Sequence, residues 1–373
     1  VYYLLLFAML ALFLLSLASV LGALYTVKVG LKGVRKTVER GAKVPLKATV
    51  RYVAPLPVRA VTLQLSVPDE GGRADAIELS APAFAARSFD QSLACPHRGV
   101  YPIGVSDISV TDVFGLLTFS RHVNRCRFQV EVTPRARRLP PIELAAGNDE
   151  DNRLTRMTED NASPADVRDW RAGDALKKVH WKLSMRKREL MVRTYEESIR
   201  PDTLLLIDLY PVGTLKSHAM TIEDAVCESA AAIARAQTSE GYPVRMPLCA
   251  AQPTEVAGKD ERALGAFVSA LTQVPFDSPF PFEKVILLEM RRMQRTGGAV
   301  FITPRLNARV ADLAIQMRRT GMSMIVIWIS DNKRDEARAL LSRLEETGIR
   351  ALRVDPWGDG LTAEQLIGQV RYG

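Results

Sequence analysis

Four histidines, four cysteines and one aspartate at the end of an apolar run are the residues best placed to do chemistry. His97, His122, His180 and His218 lie far apart, and none stands in a metal-binding or nucleophile spacing. Cys95 and Cys126 fall in one half of the chain, Cys227 and Cys249 in the other, with no C-x-x-C pair. Neither a zinc site nor a redox motif is therefore indicated, and buried unpaired thiols in a reducing compartment are the default. Asp208 follows Leu204-Leu205-Leu206-Ile207, where a strand would end and a ligand could bind. No G-x-S-x-G, phosphate-binding loop or nucleotide-binding glycine run is present. The sequence thus assigns no catalytic residue and no cofactor, and the chain reads as a non-enzyme. A membrane-bound hydrolase with an unrecognised site stays as the alternative.

The densest polar and aromatic stretch is 166–197, which holds Arg168, Trp170, Gly173, Asp174, Lys177, Trp181, Ser184, Arg186, Arg193 and Glu196. Asp174 is placed to cap a helix. Leu176, Val179, His180 and Leu183 would share one face of it, with Lys177, Lys178, Lys182 and Arg186 turned away. Residues 190–197 read as a strand. Trp170 and Trp181 bracket the turn and are expected as core anchors at a domain junction. The basic residues either pair with Asp149, Glu150 and Asp151 or are solvated, so a structural joint ranks ahead of a partner surface. Aromatic residues are sparse among the basic residues elsewhere, which places nucleic-acid binding last and leaves no nucleic-acid partner expected.

The elements that must position these residues divide in two. Residues 28–134 alternate apolar and polar positions in short runs, as in Pro45–Val53, Val61–Val67 and Phe128–Val132, with further strands near 76–80, 87–94, 100–110 and 117–123. Such runs with Pro, Gly and Asp between them predict an all-β, sandwich-like domain. Residues 135–165 have no hydrophobic period and read as a linker. From 202 the chain changes to continuous apolar strands, Leu204–Ile207, Val300–Ile302 and Met324–Ile329, alternating with helices near 222–238, 261–273, 282–295, 307–319, 333–347 and 362–371, and a last strand near 349–354. Thr221 with Asp224 resembles a capping box opening the first of these helices. Gly321 and Gly348 stand where helices should end. Strand–helix alternation predicts an α/β domain with a mostly parallel sheet, here 166–373. Asp208, Thr303 and Asp331 would converge at the strand C-termini.

Residues 1–27 carry no charge, and Tyr2, Tyr3 and Tyr25 sit at the two ends. About 20 apolar residues suffice to cross the hydrocarbon core, so this is read as a transmembrane helix with the lipid bilayer as partner. A cleaved signal peptide fits less well, because the run is too long and lacks a basic start. Lys28, Lys32, Arg35, Lys36, Arg40 and Lys43 follow, opposed only by Glu39. That bias predicts soluble domains on the cytoplasmic side of the cell membrane. It also absorbs much of the net charge of +8.

The segment 166–197 resembles the bacterial domain of unknown function DUF 58. Its hallmark R-x-Y-x-x-G-D-x-x-R-x-I-x-W-x-x-S-A-R is matched here at Arg168, Gly173, Asp174, Trp181, Ser184 and Arg186, followed by Val192, Arg193 and Glu196. Trp170, Lys177, Val179 and Met185 replace the family's residues. Asp112-Val113-Phe114-Gly115-Leu116 is similar to the family's D-x-F-G-L corner. The resemblance implies membrane spans (two in typical members, where one is visible here), a β region and a C-terminal domain similar to von Willebrand factor type A. It further implies an adaptor or assembly role with a protein partner, of which MoxR-type AAA+ ATPases are the implied class. Metal-binding type A domains carry Asp-x-Ser-x-Ser after the first strand. Asp208-Leu209-Tyr210-Pro211-Val212 keeps the aspartate and lacks both serines, and Arg305 follows the later strand where an acidic ligand is expected. The metal site is accordingly expected to be degenerate.

Overall fold

The structure, a computed structural model, describes residues 2–33, 36–52, 56–66, 76–80, 86–123, 127–142, 144, 164–171, 179–195, 202–293, 296–331, 335–358 and 360–362. The charge-free N-terminus forms one helix, α1 (Tyr2–Thr26), long and apolar enough to cross a membrane. Its first half is exposed throughout. Ser16, Ser19, Val20, Ala23 and Leu24 are buried against the β region that follows.

That region runs through β1 (Lys28–Gly33), β2 (Thr37–Glu39), β3 (Lys43–Arg51), β4 (Ala60–Ser66), β5 (Ala76–Leu79), β6 (Ala86–Ala94), β7 (Gly99–Thr111), β8 (Thr118–His122) and β9 (Arg127–Thr133). One sheet has the order β1-β3-β6, the other β2-β9-β7-β4-β5, with β8 pairing β7 outside that path. The alternation in the sequence is reproduced residue by residue. In β3, Val44, Leu46, Ala48 and Val50 are buried while Lys43, Pro45, Lys47, Thr49 and Arg51 face out, as a period of two requires. Both sheets share one core, in which Leu46 and Val50 meet Leu63, Leu65, Ile103 and Val130. Val20, Ala23 and Leu24 of α1 belong to the same core.

The stretch read as a linker is more than a tether. Its described residues 135–142 and 144 run along the second domain, where Ile142 and Leu144 enter the core. The Ile142 carbonyl accepts from the Gln237 side chain at 2.8 Å, and the Ala136 carbonyl from Arg235 at 2.7 Å. Gly298 makes room for Leu144: a Cβ there would lie 2.9 Å from the Leu144 Cβ.

The second domain begins with an antiparallel pair, β10 (Pro164–Asp169) and β11 (Met191–Tyr195), with the short helix α2 (Trp181–Lys187) between them. A six-stranded sheet follows, built from β12 (Asp202–Ile207), β13 (Val244–Leu248), β14 (Thr254–Gly258), β15 (Thr296–Thr303), β16 (Ser323–Ile329) and β17 (Arg350–Val354) in the order β14-β13-β12-β15-β16-β17. Every pairing is parallel except β13 with β14. The helices are α3 (Lys216–Ser239), α4 (Leu264–Gln273), α5 (Phe282–Met290), α6 (Ala308–Arg319) and α7 (Asp335–Glu346). Leu205 and Ile207 pack with α3 and α4, while Leu204 and Leu206 pack with α5 and α6, so the apolar run of β12 is buried on both faces. Gly321 and Gly348 take left-handed φ of 93° and 74° just past α6 and α7, as helix stops do.

Candidate functional site

Parallel strands deliver their C-terminal ends to one edge, and Asp208, one residue past β12, sits there fully buried. Its backbone N–H donates to the Ile302 carbonyl, which ties it to β15. The Thr303 hydroxyl donates to Asp208 Oδ2 at 2.8 Å. Arg305 spans both carboxylate oxygens, from Nη2 to Oδ1 at 2.7 Å and from Nε to Oδ2 at 3.2 Å. Its remaining donors reach the carbonyls of Pro211 and Tyr210 at 2.9 and 2.8 Å, and its guanidinium lies 4.9 Å from the Tyr210 ring centroid. A planar five-donor cation is suited to such a task. The positive charge at this crest is thus a side chain of the chain itself, held on the aspartate that sequence reading singled out. Thr303 joins it as expected. Asp331 stands exposed beyond β16. Exposed Tyr210 flanks the crest, exposed Leu215 and Trp357 stand on the connections after β12 and β17, and the Trp357 ring meets His218 edge-on at 5.4 Å.

A second charged cluster lies where the two domains meet. Asp224 of α3 is 2% exposed. It forms an ion pair with Arg40 Nε at 3.1 Å and accepts from His97 Nδ1 at 2.7 Å and the Arg98 backbone N–H at 3.2 Å, all from the β region. A carboxylate only accepts, so His97 carries its proton on Nδ1. One turn on, Glu228 pairs with Arg40 and with Arg135 of the connector at 3.2 and 3.3 Å. Arg98 also donates to the carbonyls of Leu271 and Thr272 in α4. Burial, reinforced by the Asp224 charge, pushes the Tyr101 hydroxyl up to about 12. The capping-box expectation is corrected here: α3 starts at Lys216, the Thr221 hydroxyl bonds back to the Ser217 carbonyl, and Asp224 is an interdomain anchor. No local signal could have shown this, because the partners of Asp224 lie more than a hundred residues upstream.

The motif segment departs from its expected shape. Val179 bridges to Val192, and the His180 N–H donates to the Met191 carbonyl, so these residues pair with β11 instead of lying in a helix. The helix begins at Trp181 and is capped by His180, whose Nδ1 accepts from the Leu183 N–H. Gly173, Asp174, Lys177, Leu176 and Glu196 lie outside the described residues, as do the acidic residues 149–151 and all but the first residue of the helix expected at 362–371. Trp181 is 58% exposed and Trp170 37%, which overturns their reading as core anchors. A tryptophan on the first turn of a seven-residue helix has too little neighbouring mass to cover it. Among the described side chains of this segment, Ser184 is the buried polar one. Its hydroxyl donates to the His180 carbonyl at 3.1 Å and accepts from the Met191 N–H at 2.9 Å, joining α2 to β11. Arg186 is exposed on α2, and Arg168 and Arg193 fall on the paired strands β10 and β11.

Residues 166–337 match a family model, that of the protein of unknown function DUF58. The DUF58 match starts within β10 and takes in α2, Asp208, Thr303 and Arg305. It leaves out α1 and the β region. No curated protein matches the chain. Among solved structures, the CARDB domain of the PF1109 protein from Pyrococcus furiosus is 15% identical, covering 28% of this chain and 86% of that one at a TM-score of 0.21. Spo0M, a sporulation control protein from Bacillus subtilis, is 16% identical over 29% of this chain and 51% of that chain at 0.20. Cwp6 from Clostridium difficile is 11% identical over 93% of this chain and 51% of that chain, also at 0.20.

Proposed function

We propose that the chain is a membrane-tethered, non-enzymatic adaptor. Its α/β domain, read as similar to von Willebrand factor type A, presents the crest around Arg305 to a protein partner. The observation that carries this reading is the pairing of Arg305 with buried Asp208. It fixes a cation in place with four hydrogen bonds and a cation–π contact to exposed Tyr210, and exposed Leu215 and Trp357 stand on the connections after β12 and β17. Rigid arginines with exposed tyrosine and tryptophan are the side chains that dominate protein interfaces. The β region, read as a sandwich, serves as the spacer between α1 and that crest. The basic residues after α1 favour a body on the cytoplasmic side. The DUF58 resemblance favours a MoxR-type AAA+ ATPase as the partner class.

Affinity capture from detergent-solubilised membranes tests this. Wild-type protein should retain a specific partner, and Trp357→Ala should lose most of it while melting at the wild-type temperature. A partner held equally by both proteins would place the interface elsewhere. Hydrolysis of a substrate by the purified chain would replace the adaptor reading with the enzymatic one.

A further inference from the structure

Asp112 is fully buried at the end of β7, at the start of Asp112-Val113-Phe114-Gly115-Leu116. Its carboxylate accepts from the Leu117 N–H at 2.9 Å and the Phe114 N–H at 3.3 Å. A third donor comes from the middle of α1, the Ser16 hydroxyl at 2.5 Å. Burial alone would push this carboxyl up, but the donors outweigh it and hold it below the usual carboxylate range. Gly115 turns the chain with φ of 73°, and the Asp112 carbonyl accepts its N–H at 3.1 Å. All the polar closure of this turn points inward. What points outward is apolar: Val113 is 46% exposed, Phe114 54% and Leu116 71%.

These side chains lie next to the exposed apolar part of α1. Leu15, Ser16 and Ser19 of the helix face Val113 and Phe114 across a cavity of about 180 Å³. On the helix side the exposed surface runs from Tyr2 to Leu15. Arg59 lays its guanidinium over Gly115, with Nη1 2.7 Å from where a Cβ would be, so an exposed cation stands at the edge of the apolar tip. An apolar tip with a long basic side chain beside it suits the boundary between acyl chains and anionic headgroups. A water-facing loop gains nothing from three large apolar side chains held rigidly outward.

We infer that the 113–116 corner is a second membrane contact, inserted at the headgroup–acyl boundary beside α1, and that it sets the depth at which the β region rests on the bilayer. The inference rests on the reading of α1 as a membrane span, and it commits to lipid as the occupant of the corner.

Two tryptophan variants separate the two claims in phosphatidylcholine–phosphatidylglycerol vesicles, brominated near the headgroup end of the acyl chains for the corner and towards the chain ends for the helix, since Phe7 lies about 12 Å beyond Leu15 along α1. Emission added by Phe7→Trp reports on the helix, and emission added by Phe114→Trp reports on the corner, each taken as the difference from wild type. Both should lose most of their added emission relative to unbrominated vesicles. Loss at Phe7→Trp with none at Phe114→Trp overturns the inference and leaves the span standing, as it would if a second protein covered the corner. Loss at neither overturns the span as well. Leu116→Trp repeats the measurement from the other side of Gly115. Wild-type melting of each variant establishes that the fold is kept, and if Phe114→Trp melts early the Leu116→Trp result decides.

Discussion

Asp208 and Asp224 are the same residue type, equally buried, sixteen positions apart, and they do opposite things. Asp208 takes its cation from its own sheet. Thr303 ends the neighbouring strand β15 and Arg305 follows it, so the cluster is complete within one domain and its outer side is left open. Asp224 takes its partners from the other domain, the Arg40 guanidinium, the His97 ring and the Arg98 backbone N–H, so its outer side is closed. A buried carboxylate must be paired wherever it is. The origin of the partner decides whether the pair shapes a surface or joins two bodies.

The contrast breaks most directly at the crest. Arg305→Ala strands the Asp208 charge with only neutral donors, and should cost about 3 kcal/mol, the lower end for an orphaned buried charge because the guanidinium is partly open to water. Urea unfolding of the detergent-solubilised protein measures it. Arg305→Lys should recover only a fraction, since one ammonium cannot span two carboxylate oxygens and two carbonyls. A loss under about 1 kcal/mol would make the crest pair an ordinary surface ion pair. At the seam the expected quantity is a coupling. Asp224→Asn and Arg40→Gln, combined in a double-mutant cycle, should interact by about 2 kcal/mol. Hydrogen exchange should rise at 96–100 and 216–228 together, on both sides of the seam. Exchange confined to α3 would mean that Asp224 stabilises its own helix and joins nothing. The smallest effects belong to the motif segment, which serves as the reference for both. Ser184→Ala leaves the Met191 N–H without its acceptor and should cost about 1 kcal/mol. Trp181→Ala, at a mostly exposed position, should stay within about 0.5 kcal/mol in the same unfolding assay. The reverse order would return Trp181 to the role of a packing anchor.

What the sequence disclosed follows the range of the forces involved. Leu204–Ile207, Val300–Ile302 and Met324–Ile329 announced buried strands because burial on both faces leaves no polar position, and each lies in the central sheet. The period of two in Pro45–Val53 is likewise a local record of one wet face. β13 and β14 escaped notice because Arg245, Pro247 and Glu255 interrupt their short runs, and Arg245 is paired with Glu255 and Glu289. Asp208 was legible from its place after an apolar strand. That its cation is Arg305 required knowing which strand lies next to β12. Asp224 was misread because Thr221-x-x-Asp224 satisfies a local pattern, while its true partners sit 184, 127 and 126 positions earlier, at Arg40, His97 and Arg98. The tryptophans were misjudged for a related reason: hydrophobicity reports what a side chain would gain from cover, and a short helix supplies none.

The seat of Leu144 beside Gly298 bears on how the chain can be divided. A fragment cut where the DUF58 match begins would remove Ile142 and Leu144 from a core they help to fill, and would take the Ile142 and Ala136 carbonyls from Gln237 Nε2 and Arg235, and Arg135 and Arg40 from Glu228. The cooperative folding unit therefore starts about thirty residues before the region of family likeness, near Arg135, by the extent of buried contact that defines such a unit. Evolutionary module and thermodynamic module share a C-terminal body but not an N-terminal border.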